Sequence, residues 1–105
     1  MPKSRLEMLE EFVQQRPTDS FSHYGLAMEY MNADRHEEAL ATFNKLLGFN
    51  PDYAAAYYHA GVLLGKLERL EEARQMLSRG MEVAARNGDF HTRGEMEEAL
   101  HNLSS

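Results

Sequence analysis

A 34-residue spacing between two similar segments is the feature that most constrains how this chain can fold. Pro17 and Pro51 are 34 residues apart, and the helices predicted between them recur at the same interval. The shift pairs small residues with small ones and large apolar residues with large apolar ones: Ala27 with Gly61, Tyr30 with Leu64, Ala39 with Ala73, and Phe43 with Leu77. Such a repeat predicts stacked copies of one supersecondary unit that share a continuous core.

Apolar residues at spacings of three and four predict six helices and no strand. The helices should run from 4 to about 16, from 18 or 19 to about 31, from 34 to about 47, from 53 to about 66, from about 70 to 86, and from 90 to 103. The side chains expected to cap their N-termini are Ser4 with Glu7, Thr18 or Asp19, Asp34 with Glu37, Asp52, and Asp89. Asn87-Gly88 should supply a left-handed stop after the fifth helix. Because the loops are short, successive helices should pack as antiparallel hairpins.

Small, aromatic and apolar residues recur at matching offsets in two consecutive segments. The first offers His23, Leu26-Ala27, Tyr30, Ala39, Phe43, Leu46 and Pro51, and the second offers Tyr57, Ala60-Gly61, Leu64, Ala73, Leu77, Gly80 and Ala85. Over residues 18–86 this pattern resembles the tetratricopeptide repeat (TPR) family, whose unit is a helix–turn–helix of 34 residues. The resemblance implies an all-α fold of antiparallel helical hairpins stacked as a short right-handed solenoid of about six helices.

We expect a single domain over residues 1–105 with one capping helix at each end. Its predicted parts are an N-terminal capping helix (4–16), a first repeat (18–51), a second repeat (52–87) and a C-terminal capping helix (89–103). The last helix departs from the repeat frame, and its inward residues should be Phe90, Met96, Leu100 and Leu103, with Arg93, Glu95, Glu98 and Asn102 facing water. With Met at the start and caps at both ends, the expectation is a free-standing protein.

Composition argues against several classes of function. The net charge of −6 disfavours nucleic acid and anionic membranes, since binding to either begins with a basic surface. The absence of cysteine excludes disulfides, a thiolate nucleophile and cysteine-ligated zinc. No stretch of the sequence has the length and apolarity of a signal peptide or a membrane span, so the cytoplasm is the expected location.

The resemblance to tetratricopeptide repeats implies a concave face formed by the first helix of each repeat. The partner-binding residues predicted on it are Phe21, Tyr24, Met28, Asn32, Tyr58, His59 and Val62, with Gly25, Ala55 and Lys66 as further candidates. In this family a well-known site grips a terminal carboxylate through lysine, arginine and asparagine. Because Tyr24, Met28, Tyr58 and Val62 cannot supply that clamp, an extended apolar segment or an amphipathic helix is the expected ligand.

Four rival interpretations have less support in the sequence. A homodimer could bury the same apolar strip against a second copy. A small hydrolase using His59 beside Tyr58 lacks a nameable third group to orient the base, so we expect no enzyme. His91 with Glu95, and Glu98 with His101, give too few ligands for a metal. Residues 61–67 are one residue short between glycines for a phosphate loop, so no cofactor is expected.

Overall fold

The computed structural model describes residues 2–103, which form six α-helices and contain no strand. In chain order they are α1 (Arg5–Gln15), α2 (Ser20–Asn32), α3 (His36–Phe49), α4 (Ala54–Lys66), α5 (Leu70–Arg86) and α6 (Phe90–Leu103). The six predicted helices are therefore confirmed, with ends that differ by at most a few residues. Residues 1, 104 and 105, the outermost positions of the predicted domain, lie outside the described residues.

Three helices begin at the caps that the sequence predicts. At α1, the Glu7 N–H donates to the Ser4 hydroxyl at 3.1 Å while the Glu7 carboxylate accepts from the Ser4 N–H at 3.2 Å, which completes the capping box. At α2, the Asp19 carboxylate accepts from the Ser22 N–H at 3.2 Å. At α6, the Asp89 carboxylate accepts from the Thr92 N–H at 3.1 Å. These bonds satisfy amides that the helix itself leaves without acceptors.

The predicted caps at Asp34 and Asp52 are wrong. The N-cap of α3 is Arg35 and that of α4 is Tyr53, and neither makes a side-chain capping bond. Asp34 instead ends α2: its φ of 59° is left-handed, a conformation that aspartate tolerates better than most residues. A residue in that conformation closes the preceding helix, so its side chain is not placed to cap the following one.

The turns repeat with the same 34-residue interval as the helices. Glu68, the counterpart of Asp34, has a φ of 62°, and Gly88 ends α5 with a φ of 73°. The residue after each left-handed position donates its N–H to a carbonyl of the preceding helix: Arg35 to Tyr30 at 2.9 Å, Arg69 to Leu64 at 2.9 Å, and Asp89 to Ala84 at 2.8 Å. These bonds satisfy carbonyls at the helix ends. The left-handed stop predicted at Gly88 is confirmed.

The described chain divides into two compact units between Asn50 and Pro51. The first unit contains α1, α2 and α3. Its buried residues include His23, whose ring lies 4.9 Å from that of Phe49, and Tyr30, whose hydroxyl donates to the Glu10 carboxylate at 2.8 Å. Burial and this hydrogen bond together raise the pKa of Tyr30 to about 12, so the phenol stays neutral at physiological pH. The prediction of a single domain stays a prediction.

The second unit contains α4, α5 and α6. Its buried residues are Ala54, Ala56, Tyr57, Ala60, Gly61, Leu63, Leu64, Ala73, Leu77, Gly80, Val83, Ala84 and Met96. With the first unit's Ala27, Tyr30, Ala39 and Phe43, they include both members of all four residue pairs that define the repeat. The prediction that these positions are buried is therefore confirmed.

One inward assignment on α6 is wrong. Phe90 is 64% exposed, whereas Met96 is fully buried. The two residues are six positions apart, which places them about 120° apart around a helix of 3.6 residues per turn. Leu100 and Leu103 lie closer to the angular position of Met96 and are half-buried. Only the part of α6 that shares the Met96 side therefore packs inward.

Two glycines on the inner sides of α4 and α5 allow these helices to approach closely. A Cβ built on Gly80 would lie 2.5 Å from the Cβ of Tyr57 and 2.7 Å from the Sδ of Met96. A Cβ on Gly61 would lie 2.6 Å from the Cγ of Leu77. These distances are too short for real contacts, so glycine at both positions sets how near α4 and α6 come to α5.

We expect Gly80→Ala to lower the free energy of unfolding by about 1–3 kcal/mol, because the Cβ of Tyr57 is close to its backbone and cannot move aside cheaply. The matched control is Gly94→Ala on α6, where an added Cβ meets nothing within 4 Å. That change should raise stability by about 0.5–1 kcal/mol, the usual gain for alanine over glycine inside a helix. Urea unfolding followed by circular dichroism measures both. Equal effects of the two substitutions would contradict the packing at Gly80.

Candidate partner-binding cleft

A cleft with a volume of about 480 Å³ lies within the second unit, between α4 and α6. One wall is α4, the other is α6, and Leu77 of α5 forms the floor. The lining residues are Tyr58, Val62, Gly65, Lys66, Leu77, Glu95, Glu98, Ala99, Asn102 and Leu103. We call this feature the α4–α6 cleft. Its volume falls in the range of roughly 300–1,000 Å³ that is typical of ligand pockets.

Helical periodicity explains which residues reach the cleft. On α4 the lining positions Val62, Gly65 and Lys66 lie four, seven and eight residues after Tyr58, so the four residues form one stripe along the helix. On α6 the lining positions recur in the same way, starting from Glu95. The α4 stripe is apolar until Lys66, whereas the α6 stripe alternates carboxylate and amide groups with alanine and leucine. The cleft therefore has an apolar floor and a polar rim.

The two walls meet at the C-terminal ends of α4 and α6. A Cβ built on Gly65 would lie 2.8 Å from a Cδ of Leu103, so the glycine is what allows the leucine to approach α4. Leu103 remains half-buried. This contact closes one end of the cleft.

His59 lies beside the cleft, next to Tyr58 on α4. The two rings are 5.1 Å apart and nearly perpendicular. Burial lowers the pKa of His59 below its ordinary value of 6.5, and the nearby Glu95 carboxylate opposes that shift without cancelling it. The imidazole is therefore neutral at pH 7. The His59 side chain therefore adds no positive charge to the end of the cleft where Tyr58 lies.

The structure brings together two of the seven predicted partner-binding residues in one cavity, Tyr58 and Val62, with His59 adjacent. Both lining residues are half-buried, so part of each side chain is accessible to a ligand. The further candidate Lys66 also lines the cleft. Their role as partner contacts stays a prediction.

The other four predicted residues lie on α2 in the first unit. Tyr24 and Met28 are half-buried, and the Tyr24 ring lies 6.5 Å from that of Phe43. Phe21 is 78% exposed, and Asn32, the last residue of α2, is also exposed. Spacings of three, four and four residues along Phe21, Tyr24, Met28 and Asn32 place them on one face of that helix. Their part in binding also stays a prediction.

Sequence reasoning missed the contribution of α6. Glu95, Glu98 and Asn102 are exposed, as predicted, but they also form a wall of the cleft. The repeat frame could not reveal this wall, because Gly94 and Glu95 stand at the offsets that Leu26-Ala27 and Ala60-Gly61 occupy in the two repeats, so the frame does not define the register of α6. The signal available was the spacing of polar and apolar residues from Glu95 onward.

Among residues 2–103, no group of three or more histidine, aspartate or glutamate side chains is placed to hold a metal ion. The pair of His91 and Glu95, with nitrogen and oxygen 3.5 Å apart, is a contact of one turn on an exposed helix face. Within the same described range, every helix is too short or too polar to cross a membrane.

A family model described as tetratricopeptide repeat matches residues 30–92, which span the second half of the first unit and most of the second. The chain belongs to the tetratricopeptide repeat family. TPR domains are generally non-enzymatic protein–protein interaction modules that bind protein or peptide partners. The all-α class of hairpins predicted from the sequence is thereby confirmed.

Similar proteins support this assignment. An uncharacterized protein of Methanocaldococcus jannaschii is 38% identical over 61 residues, which make up 58% of this chain and 71% of that protein. The crystal structure of a tetratricopeptide repeat domain protein from Salinibacter ruber is 34% identical, with a TM-score of 0.78, and the match covers 83% of this TPR chain and 98% of that one.

A second similar structure shares the fold at lower identity. It is the TPR2B domain of yeast Sti1 in complex with pHsp70, with a TM-score of 0.89 and 17% identity over 94% of this chain and 79% of that one. At this identity the similarity concerns the fold alone. It places this TPR chain among domains whose helices superimpose closely even where their side chains differ.

We expect the imidazole of His59 to titrate below pH 6.5, because burial disfavours its charged form. Glu95→Gln should lower this pKa further, since it removes the carboxylate that favours the protonated ring. A depressed pKa of a base means that the unfolded chain binds more protons, so stability should fall as pH decreases below about 6.5. NMR titration of the His59 ring in both proteins measures the shift. A pKa at or above 6.5, or one that Glu95→Gln does not lower, would contradict this environment.

Proposed function

We propose that this TPR protein is an interaction module that binds a peptide or helical segment of another protein, and that the α4–α6 cleft is its principal contact surface. The observation that carries the proposal is the cleft itself, in which Tyr58 and Val62 stand over an apolar floor behind a polar rim. Apolar depressions with polar rims are the usual form of peptide and ligand sites.

The residue types in the cleft support a role in recognition. Tyrosine is enriched among the residues that dominate binding energy, because it offers a large apolar area and a hydroxyl at little cost in conformational entropy. Tyr58 and Val62 are half-buried, so they are positioned by the helix and still accessible. A partner side chain seated against them would leave water, which is the main favourable term in such contacts.

Residues outside the cleft extend the proposal. We assign Phe21, Tyr24, Met28 and Asn32 of α2, and His59 of α4, as further partner contacts. Phe21 is 78% exposed, so its ring is accessible to a partner. We also propose that the protein works in the cytoplasm, where partners with accessible segments are abundant. The α2 and α4 assignments follow from the concave face that the first helix of each repeat forms in this family.

Photo-crosslinking from the cleft rim tests the proposal. A benzophenone amino acid in place of Asn102 should crosslink to one defined partner protein in cells, because Asn102 is exposed and lines the cleft. The matched control places the same amino acid at Glu97, which is exposed on α6 but does not line the cleft. Adding Tyr58→Ser to the Asn102 variant should reduce the crosslinked product at least about tenfold, the effect of losing an interface residue worth 1.4 kcal/mol or more.

The outcomes separate the possible functions. A product containing two copies of this chain would favour the homodimer instead. Identical products from the Asn102 and Glu97 positions, or the absence of any product, would contradict the cleft as the binding surface. Circular dichroism of the Tyr58→Ser variant is the control for folding, and retained helix content is required for the comparison.

A further inference from the structure

The α4–α6 cleft is unequally charged along its length. Glu95 and Glu98 lie three residues apart on α6, which places both carboxylates on the same side of the helix. The charged residue on the opposite wall is Lys66, the last residue of α4. His59, which lies near Glu95, is neutral at pH 7 because burial lowers its pKa. The part of the cleft lined by Glu95 and Glu98 is therefore acidic, and the positively charged side chain of Lys66 lies at the other end.

The two carboxylates are only weakly engaged within the protein. Glu95 lies 3.5 Å from the Nε2 of His91, which gives an ion pair only when that exposed imidazole is protonated. Among residues 2–103, Glu98 has no ion-pair partner within 4.0 Å. Both acids are exposed, so forming a new ion pair with them does not require breaking a strong internal one. They are available to a cation supplied by a ligand.

The acidic part of the cleft also contains an aromatic ring. Tyr58 is the first lining residue of the α4 stripe and Glu95 the first of the α6 stripe, and the Glu95 carboxylate acts on the pKa of His59, the neighbour of Tyr58. A lysine or arginine side chain placed here can contact the tyrosine face with its charged group and pair with the carboxylates at the same time. The stem of such a side chain would lie along the apolar lining.

The length of the cleft limits what can occupy it. Eight residues separate Tyr58 from Lys66, which corresponds to about 12 Å along α4 at 1.5 Å per residue. That distance accommodates two turns of a helix or about four extended residues. An occupant therefore presents two or three side chains to the cleft, and the lining offers them one apolar and one acidic environment.

We infer that the partner segment is cationic and amphipathic, with a bulky apolar side chain seated over Val62 and an adjacent lysine or arginine paired with Glu95 and Glu98. This inference rests on the proposed function and specifies its partner class. The net charge of −6 acts in the same direction, since it attracts cationic segments and repels acidic ones at long range. Lys66 disfavours a cation at the far end, which orients the segment in the cleft.

The test uses the full-length protein labelled with ¹⁵N and three synthetic peptides with blocked ends. The first peptide is an amphipathic helix of leucine and lysine, the second replaces each lysine by glutamate, and the third replaces each leucine by serine. We expect the leucine–lysine peptide to shift the backbone amides of Val62, Glu95 and Glu98 and to bind at least about tenfold more tightly than either of the others. The difference in affinity between the leucine–lysine and leucine–glutamate peptides should decrease as salt is added, because salt screens exposed charge pairs.

A pair of neighbouring substitutions separates a specific contact from general attraction. Glu98→Gln should weaken binding of the leucine–lysine peptide by about two- to fivefold, the range given by one exposed ion pair. Glu97→Gln removes the same charge from the adjacent exposed position outside the cleft and should change affinity by less. Equal effects of the two substitutions, shifts located away from the cleft, or the absence of binding would overturn the inference.

The remaining outcome distinguishes this inference from the proposed function. If the leucine–glutamate peptide shifts the cleft amides as strongly as the leucine–lysine peptide, the charge preference is wrong and the apolar cleft still stands as a binding surface. Failure of the proposed function would instead appear in the photo-crosslinking experiment, where the Asn102 and Glu97 positions would give identical products or none.

Discussion

The close approach of three helices at Gly80 is the constraint on which the second unit depends. The absent side chain lets the Cβ of Tyr57 and the thioether of Met96 both lie against α5, so α4 and α6 are held by the same residue. Leu77 is three positions earlier on α5, where it contacts the backbone of Gly61 and forms the floor of the cleft. The tight contact at Gly80 thus fixes the helices that form the α4–α6 cleft. The contact between Gly65 and Leu103 closes one end of that cleft.

The repeat period made much of this arrangement predictable. The four residue pairs that define the repeat, such as Phe43 with Leu77, are buried in both units, and a single period therefore predicted these buried positions. The turns follow the same period, but the sequence suggested the wrong role for Asp34, because an aspartate before a helix favours a cap as readily as a left-handed stop. Local side-chain chemistry was ambiguous there, and the backbone bonds that end α2 decided it.

The site was only half predictable for a related reason. Tyr58 and Val62 belong to a helix whose register follows the repeat, so their inner position could be carried over by offset. Glu98 and Asn102 belong to α6, which departs from that register, and their placement depends on how Met96 packs against Gly80. Phe90 shows the same limit, since an apolar residue at the start of α6 is exposed when the helix is oriented by Met96. Hydrophobicity alone does not determine the rotation of a helix that is outside the repeat.

The central claim is that α6 packs against both α5 and α4 and so creates the cleft. Nuclear Overhauser spectra of the full-length protein with labelled methyl groups test it most directly. The packing predicts strong cross-peaks from the ε-methyl of Met96 to the α-protons of Gly80, and from a δ-methyl of Leu103 to those of Gly65. Loss of both cross-peaks in a protein that keeps its helix content would mean that α6 does not form the second wall, and the account of the cleft would then be wrong.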